Sequence, residues 1–185
     1  MFLKFLKARF TLAAAAAVGC LLSMMPAHAQ VSQSGYVLPM NLALQAALQA
    51  VNVCKAKGWD VTATVVDVAG TPEVDLRGDH ASIHTKDTAY RKAYTIVTMG
   101  PIFHLTVTSQ FVTLLSKYSP LAGQALASTP DVMPLAGGAA IEAHGEIVAG
   151  LGVGGSPGAE NDEICAKAGV AKIEDLLPHK NSRRR

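Results

Sequence analysis

The chain has 185 residues, half of them hydrophobic, with 16 Lys+Arg against 14 Asp+Glu. Its basic balance sits at the two ends, in Lys4, Lys7 and Arg9 and in Arg183 to Arg185. Without residues 1–29 the count is 13 Lys+Arg against the same 14 acids, a net charge of −1. No clustered basic face is left, which excludes a nucleic-acid binder, and the remaining 156 residues suit one domain with one core.

Residues 1–29 read as a secretory signal peptide. A positive start is followed by the uncharged run "FTLAAAAAVGCLLSMM" and by Ala27 and Ala29 ahead of Gln30. Uncleaved anchors carry longer apolar runs of about 20 residues. A lipoprotein cut before Cys20 is disfavoured because the apolar run continues through Met25. Cleavage after Ala29 would place the protein in the periplasm or outside the cell, with no membrane span. Cys20 leaves with the signal, and Cys54 and Cys165 remain. An oxidising compartment invites a disulfide between them, and two buried thiols that never meet are the alternative. Residues 30–40 form an N-terminal extension, 41–177 the domain and 178–185 a basic, solvated tail.

The first predicted element is a helix, "NLALQAALQAVNVCKAKG", with Leu44, Ala47, Leu48, Val51 and Cys54 on one apolar stripe. Asn41 is its expected cap and Gly58 its stop. "DVTATVVDVAGTPEVDLRG" reads as a hairpin. Val61, Ala63 and Val65 alternate with Thr62 and Thr64, "AGTP" turns the chain, and Val74 to Arg77 returns. The polar loop "GDHASIHT" ends at Thr85, an expected helix cap. The helix that follows, Lys86 to about Met99, turns Ala89, Ala93, Ile96 and Val97 inward and stops at Gly100 and Pro101. "LTVTSQFVTLLSKY" is a third helix, and a loop rich in Ser, Pro and Gly leads to Asp131. "DVMPLAGGAAIEAHGEIVAGLGVGG" reads as two or three strands with "AHGE" as a hairpin turn. Ala159 to Ala168 is the last main helix, ended by Gly169. Short turns between neighbouring strands make the sheet antiparallel, so the class is α+β, helices packed on an antiparallel sheet.

Gly150, Gly152 and Gly155 spell G-x-G-x-x-G, the pattern of a dinucleotide-binding turn. Such a turn needs a crossover before it and a second parallel strand after its helix. Here the strand arrives from a tight hairpin. Glu174 and Asp175 stand at the distance of the ribose acid, but no strand fits around them before the chain ends. The fingerprint is accidental. Gly150, Gly152 and Gly154 instead bare one strand face, to which a helix or another subunit can lie close.

"VTATVVDVAGTP", "LRGDHASIHTKDTAYRKAYT" and "LAGGAAIEAHGEIVAGLGVGGSPGAENDEICAKAG" together resemble the GlcG/HbpS family of haem-binding proteins. The resemblance runs from about Leu42 to Ile173. It implies a profilin-like single domain, an antiparallel sheet flanked by helices, and assembly into a homo-oligomer, commonly an octamer. Exported members work outside the cytoplasm, and one branch feeds a haem or redox signal to a sensor kinase. The resemblance also sets the first and last helices on one side of the sheet, where Cys54 and Cys165 could meet. A bridge there would close a loop of about 110 residues, worth about 4–5 kcal/mol in the entropy model. The chain departs from the pattern at His80, Ala140 and Gly154, and its first helix, Asn41 to Lys57, holds no histidine of the kind some haem-binding relatives use.

Haem needs an axial side chain, an apolar slot and cations for its propionates. His84, with His80 four residues before it, is the expected ligand. Tyr94 or Met99 would line the slot, and Arg77 or Arg91 would meet a propionate. No C-x-x-C-H motif is present for covalent attachment. The same loop could hold a divalent metal on His80, His84 and Asp79, since imidazole with carboxylate suits Zn, Cu, Ni or Fe. In the blander alternative Thr85 caps the helix and Arg77 pairs Asp79. His104 is expected to be packed or interfacial, and His144 and His179 exposed. Catalysis is not expected: Pro157 directly follows Ser156, removing the backbone N–H an oxyanion hole would use. The reading is an exported, non-catalytic, homo-oligomeric haem or iron binder. Two others stay open: an oligomeric accessory of a periplasmic sensor or redox enzyme, with its glycines serving subunit packing, and a small metal-dependent enzyme built on the His80–His84 loop.

Overall fold

The computed structural model describes residues 34–179; the expected signal peptide and the arginines of the tail lie outside them. Helix α1 spans Met40–Ala56. It starts at Met40, not behind an Asn41 cap, because Pro39 fixes an extended turn-in and its carbonyl accepts from Leu42 and Ala43 N–H. Its buried face is Leu42, Ala43, Ala46, Ala47, Ala50 and Cys54, while Leu44 and Leu48 are 42% and 49% exposed. The expected stripe is thus rotated toward the alanines. Small side chains let this helix lie close to its neighbour, and the larger leucines face outward. Gly58, just past the cap at Lys57, stops the helix as expected, in a left-handed conformation (φ 79°).

Strands β1 (Thr62–Asp67) and β2 (Pro72–Arg77) form the expected hairpin. Asp67 closes the turn by accepting from the Ala69 and Thr71 N–H groups at 2.8 Å each. β1 is buried on both faces, not half-buried. Its threonines are satisfied there: Thr62 Oγ1 lies 2.7 Å from Thr85 Oγ1, and Thr64 Oγ1 donates to Asp75 at 2.8 Å.

Helix α2 runs Thr85–Phe103, continuing through Gly100 and Pro101. Proline in the last turn costs only one late backbone hydrogen bond. Gly100 serves packing, since a Cβ there would come within 2.6 Å of Ile147 Cδ1. The helix stops at His104, in the left-handed region (φ 55°) with its N–H on the Gly100 carbonyl. Thr85 is not the cap. It is the first helical residue, and its hydroxyl donates to the Ser82 carbonyl at 2.6 Å. Helix α3 spans Thr108–Leu115, after a stretch in which Val107 bridges Ala139. The segment read as a loop contains a further helix, α4 (Pro120–Ala127), started by Ser119 Oγ accepting from Ala122 N–H and by Pro120 in its first turn. None of its residues is buried.

Strands β3 (Gly138–Ala143) and β4 (Glu146–Gly154) turn at His144 and Gly145, both at positive φ, as "AHGE" predicted. Residues 131–137, which are described, form no further strand before them. Helix α5 spans Ala159–Ile173 and passes through Gly169, where a Cβ would come within 2.5 Å of the Ala46 carbonyl. That glycine is a helix-crossing point, not an end. A 3₁₀ turn, Glu174–Leu176, follows.

The sheet order is β2-β1-β4-β3, antiparallel throughout. One face carries α1 and α5 over Val61, Ala63, Val65, Leu151 and Val153. α2 covers the other. There a Cβ on Gly150 would come within 2.6 Å of the Ala93 carbonyl, and one on Gly152 would overlap that of Ala89. The glycine row is therefore occupied by a helix of the same chain, which removes it as a subunit-packing face. Cys54 and Cys165 are bonded, with Cα atoms 5.7 Å apart. The fold is α+β, a single sheet flanked by helices, as expected.

Candidate functional site

The loop from Gly78 to His84 leaves the edge strand β2 and enters α2. It is pinned at both ends and in the middle: Gly78 N–H donates to Val61 O at 2.9 Å, Ala81 is buried, and Thr85 holds Ser82. Arg77 Nε donates to the Ala81 carbonyl at 2.8 Å and does not pair Asp79. Asp79 instead meets Lys55 at 2.9 Å. Hydrogen bonding and attraction from Lys55 hold the Asp79 carboxyl below its ordinary pKa, and Asp79 raises Lys55 in the same way. His80, Ile83 and His84 are exposed, Ile83 by 85%. The loop is a rigid platform with its imidazoles in solvent.

The other expected residues do not gather there. Arg91 donates to the Val132 carbonyl at 3.0 Å, with Asp87 at 3.9 Å. Tyr94 lies over Gly70 and beside Tyr90, ring centroids 6.0 Å apart, and Met99 belongs to the core under α2. Burial, then the charge of Asp131, raises the Tyr90 pKa. Among the described residues no three His, Cys, Asp or Glu side chains are placed to hold a metal ion, so His80, His84 and Asp79 do not form the metal loop expected. No helix among them is long and apolar enough to cross a membrane.

Among the described residues, four grooves are lined as follows. One of about 250 Å³ lies between α1 and the end of β2, walled by Leu48, Trp59 and Leu76, with Lys55, Asp60, Arg77 and Asp79 around it. A second, of about 510 Å³, runs beside β3 and α5 past Glu142, Lys167, Glu174 and His179. A third, of about 400 Å³, lies where α2 passes into α3, lined by Phe103, His104, Leu105, Gln110, Leu114 and Lys117 among others. The fourth, of about 320 Å³, lies under Tyr90 with Asp75, Lys86 and Asp87. Arg77 and Asp79 thus border a hollow, whereas His80 and His84 line none of the four.

Two polar centres escaped the sequence reading. Lys92 Nζ is buried 2.6 Å from Asp162 and also donates to Val153 O at 3.0 Å. Asp162 in turn accepts from Ser156 N–H, which fixes the glycine-rich turn before α5. Beside it Glu163 accepts from Ser109 N–H and Oγ at 2.9 and 2.8 Å, and from Lys167 at 2.9 Å. Burial pushes the Glu163 pKa up, but the bonds from Lys167 and Ser109 outweigh it and leave the carboxyl below its ordinary value. At β2 the reverse holds. Burial, then Asp67, raises Glu73, whose Oε2 is buried with no hydrogen-bond partner among the described residues. A lysine inside the apolar periodicity of α2 was the available signal for the first centre.

Residues 38–171 match a family model described as "Haem degrading protein HbpS-like". The chain is 33% identical to a protein solved as HbpS, covering 80% of this chain and 97% of that one at a TM-score of 0.67. It is 34% identical to a double mutant of HbpS from Streptomyces reticuli, with the same coverage and TM-score. It is 26% identical to a protein solved as the PduOC:heme complex, covering 75% and 96% at a TM-score of 0.65. No curated sequence matches it significantly.

Proposed function

The chain belongs to the HbpS-like family, and from that premise we propose that it binds haem or a closely related iron-bearing ligand. The observation that carries this reading is its likeness, over three quarters of its length, to a protein solved with haem. The chain offers the side chains such a ligand needs: exposed imidazoles, apolar grooves and cations at their rims. Haemin titrated into residues 30–185 is expected to give a saturable Soret shift. His84→Ala tests the ligand expected from the sequence. An unchanged spectrum of free haemin at micromolar protein sinks the reading.

The reading extends to export through residues 1–29 and to a homo-oligomer, an octamer by resemblance, that serves a sensor kinase or periplasmic redox enzyme. Exposed Met40, Leu44 and Leu48, four residues apart along α1, together with Ile83, support the oligomer. Light scattering of the wild type and of Leu44→Glu/Leu48→Glu tests it: an unchanged mass removes this face. The family description also names haem degradation. Loss of the Soret band when both dioxygen and a reductant are supplied would favour that enzymatic reading over binding alone.

A further inference from the structure

Non-covalent haem requires an imidazole or similar ligand, an apolar wall and cations for the propionates in one place. The groove beside Arg77 has apolar walls and cations, but Asp60 and Asp79 line it and no histidine does. The groove beside β3 offers His179 and Lys167 but sets Glu142 and Glu174 in its wall, and the one under Tyr90 sets Asp75 and Asp87 there. The groove between α2 and α3 differs from all three. His104 and Lys117 line it with Phe103, Leu105 and Leu114, and no acid does. At about 400 Å³ it falls within the range of about 300–1,000 Å³ usual for ligand pockets, which the 250 Å³ hollow at Arg77 does not reach.

We propose that this groove is the haem site, with His104 as the imidazole that ligates iron and Lys117 as the cation that meets a propionate. The inference rests on the haem reading above and moves its site away from the His80–His84 loop. The backbone fixes His104 in place. As the left-handed cap of a 19-residue helix, its N–H is committed to Gly100, and the side chain is exposed. Its imidazole has no hydrogen bond among the described residues, so a ring nitrogen is available to a metal. The partial negative charge at the helix C-terminus suits an iron cation above it and disfavours a propionate there. A propionate would meet Lys117, which lines the same groove after α3 and makes no ion pair among the described residues. Phe103 forms the wall and is itself backed by the buried Phe111, ring centroids 6.4 Å apart.

The test is a haemin titration of the full mature domain, comparing wild type with His104→Asn, Lys117→Glu and His84→Ala. Asparagine tolerates the left-handed cap, so loss of binding in His104→Asn is not loss of fold, and circular dichroism checks this. His104→Asn is expected to lose the imidazole-ligated Soret band. Lys117→Glu should keep the band position while binding about tenfold more weakly, the loss of one charge-assisted hydrogen bond. His84→Ala should titrate as wild type. Wild-type binding lost in His84→Ala and kept in His104→Asn overturns this inference and leaves the haem reading standing. A wild type that does not shift free haemin overturns both.

Discussion

Lys92 Nζ lies 2.6 Å from Asp162 Oδ2 with both side chains sealed from solvent, and so ties α2 to the start of α5. Breaking a buried pair leaves one charge without a partner, which costs about 3–5 kcal/mol. Lys92→Met alone is expected to lower unfolding free energy by that amount. Lys92→Met with Asp162→Asn should lose less than the two single changes summed, since neither charge is then stranded. Urea unfolding of the four proteins measures the coupling, and strict additivity would show the pair to be idle.

The bond between Cys54 and Cys165 joins residues 111 apart. In the entropy model it stabilises by about 4–5 kcal/mol, and measured bridges deliver about 2–4. Cys54→Ala/Cys165→Ala should therefore unfold at clearly lower urea. Intact mature protein should show no thiol to an alkylating reagent, even when denatured.

Glu163 and Glu73 make opposite contributions to acid stability. The Glu163 carboxyl is lower in the folded state, so its contribution is present above the unfolded value of about 4.3 and is lost as pH falls through the folded value. Glu73 is raised, so its contribution is present below the unfolded value and lost as pH rises through the folded one. Glu163→Gln should destabilise near neutrality and flatten the acid limb. Glu73→Gln should stabilise near neutrality and change little below pH of about 4. Urea midpoints across pH 3 to 7, about the unfolded value, read both signs.

Gly152→Ala drives a methyl into the Ala89 carbonyl, a backbone atom of α2 that cannot swing aside. The cost should match or exceed the usual overpacking penalty of about 1–3 kcal/mol. Gly123→Ala, on exposed α4 with a looser contact, should be nearly neutral. Comparable melting losses in the two variants would contradict the close helix–sheet packing described.

Much of the fold was legible because its signals were local. The alternation at Val61 to Val65, the inner face of α2 and the turn at His144–Gly145 depend on neighbours in sequence. The misreadings share one cause. Gly100 and Gly169 carry the local mark of a helix end, but another element presses on each, so the helices run on. α4 was missed because none of its apolar residues is fully buried and only Leu126 packs on the core, too little to mark a face. The site was less legible than the fold. His80 and His84 share a loop in sequence, yet the fold turns both outward, while His104 and Lys117, thirteen positions apart, are brought to one groove by the turn between α2 and α3. Nothing in their spacing announces it.

α4 has no fully buried residue and only Leu126 packed on the core, so opening it costs little and a protease should cut there first. The cut would fall between Cys54 and Cys165, which remain bonded across it. Nicked protein should migrate as one species on a gel until it is reduced, and as two fragments afterwards. Clipping at this place would thus leave both halves attached, and any capacity housed in the remaining body would survive the loss of chain continuity.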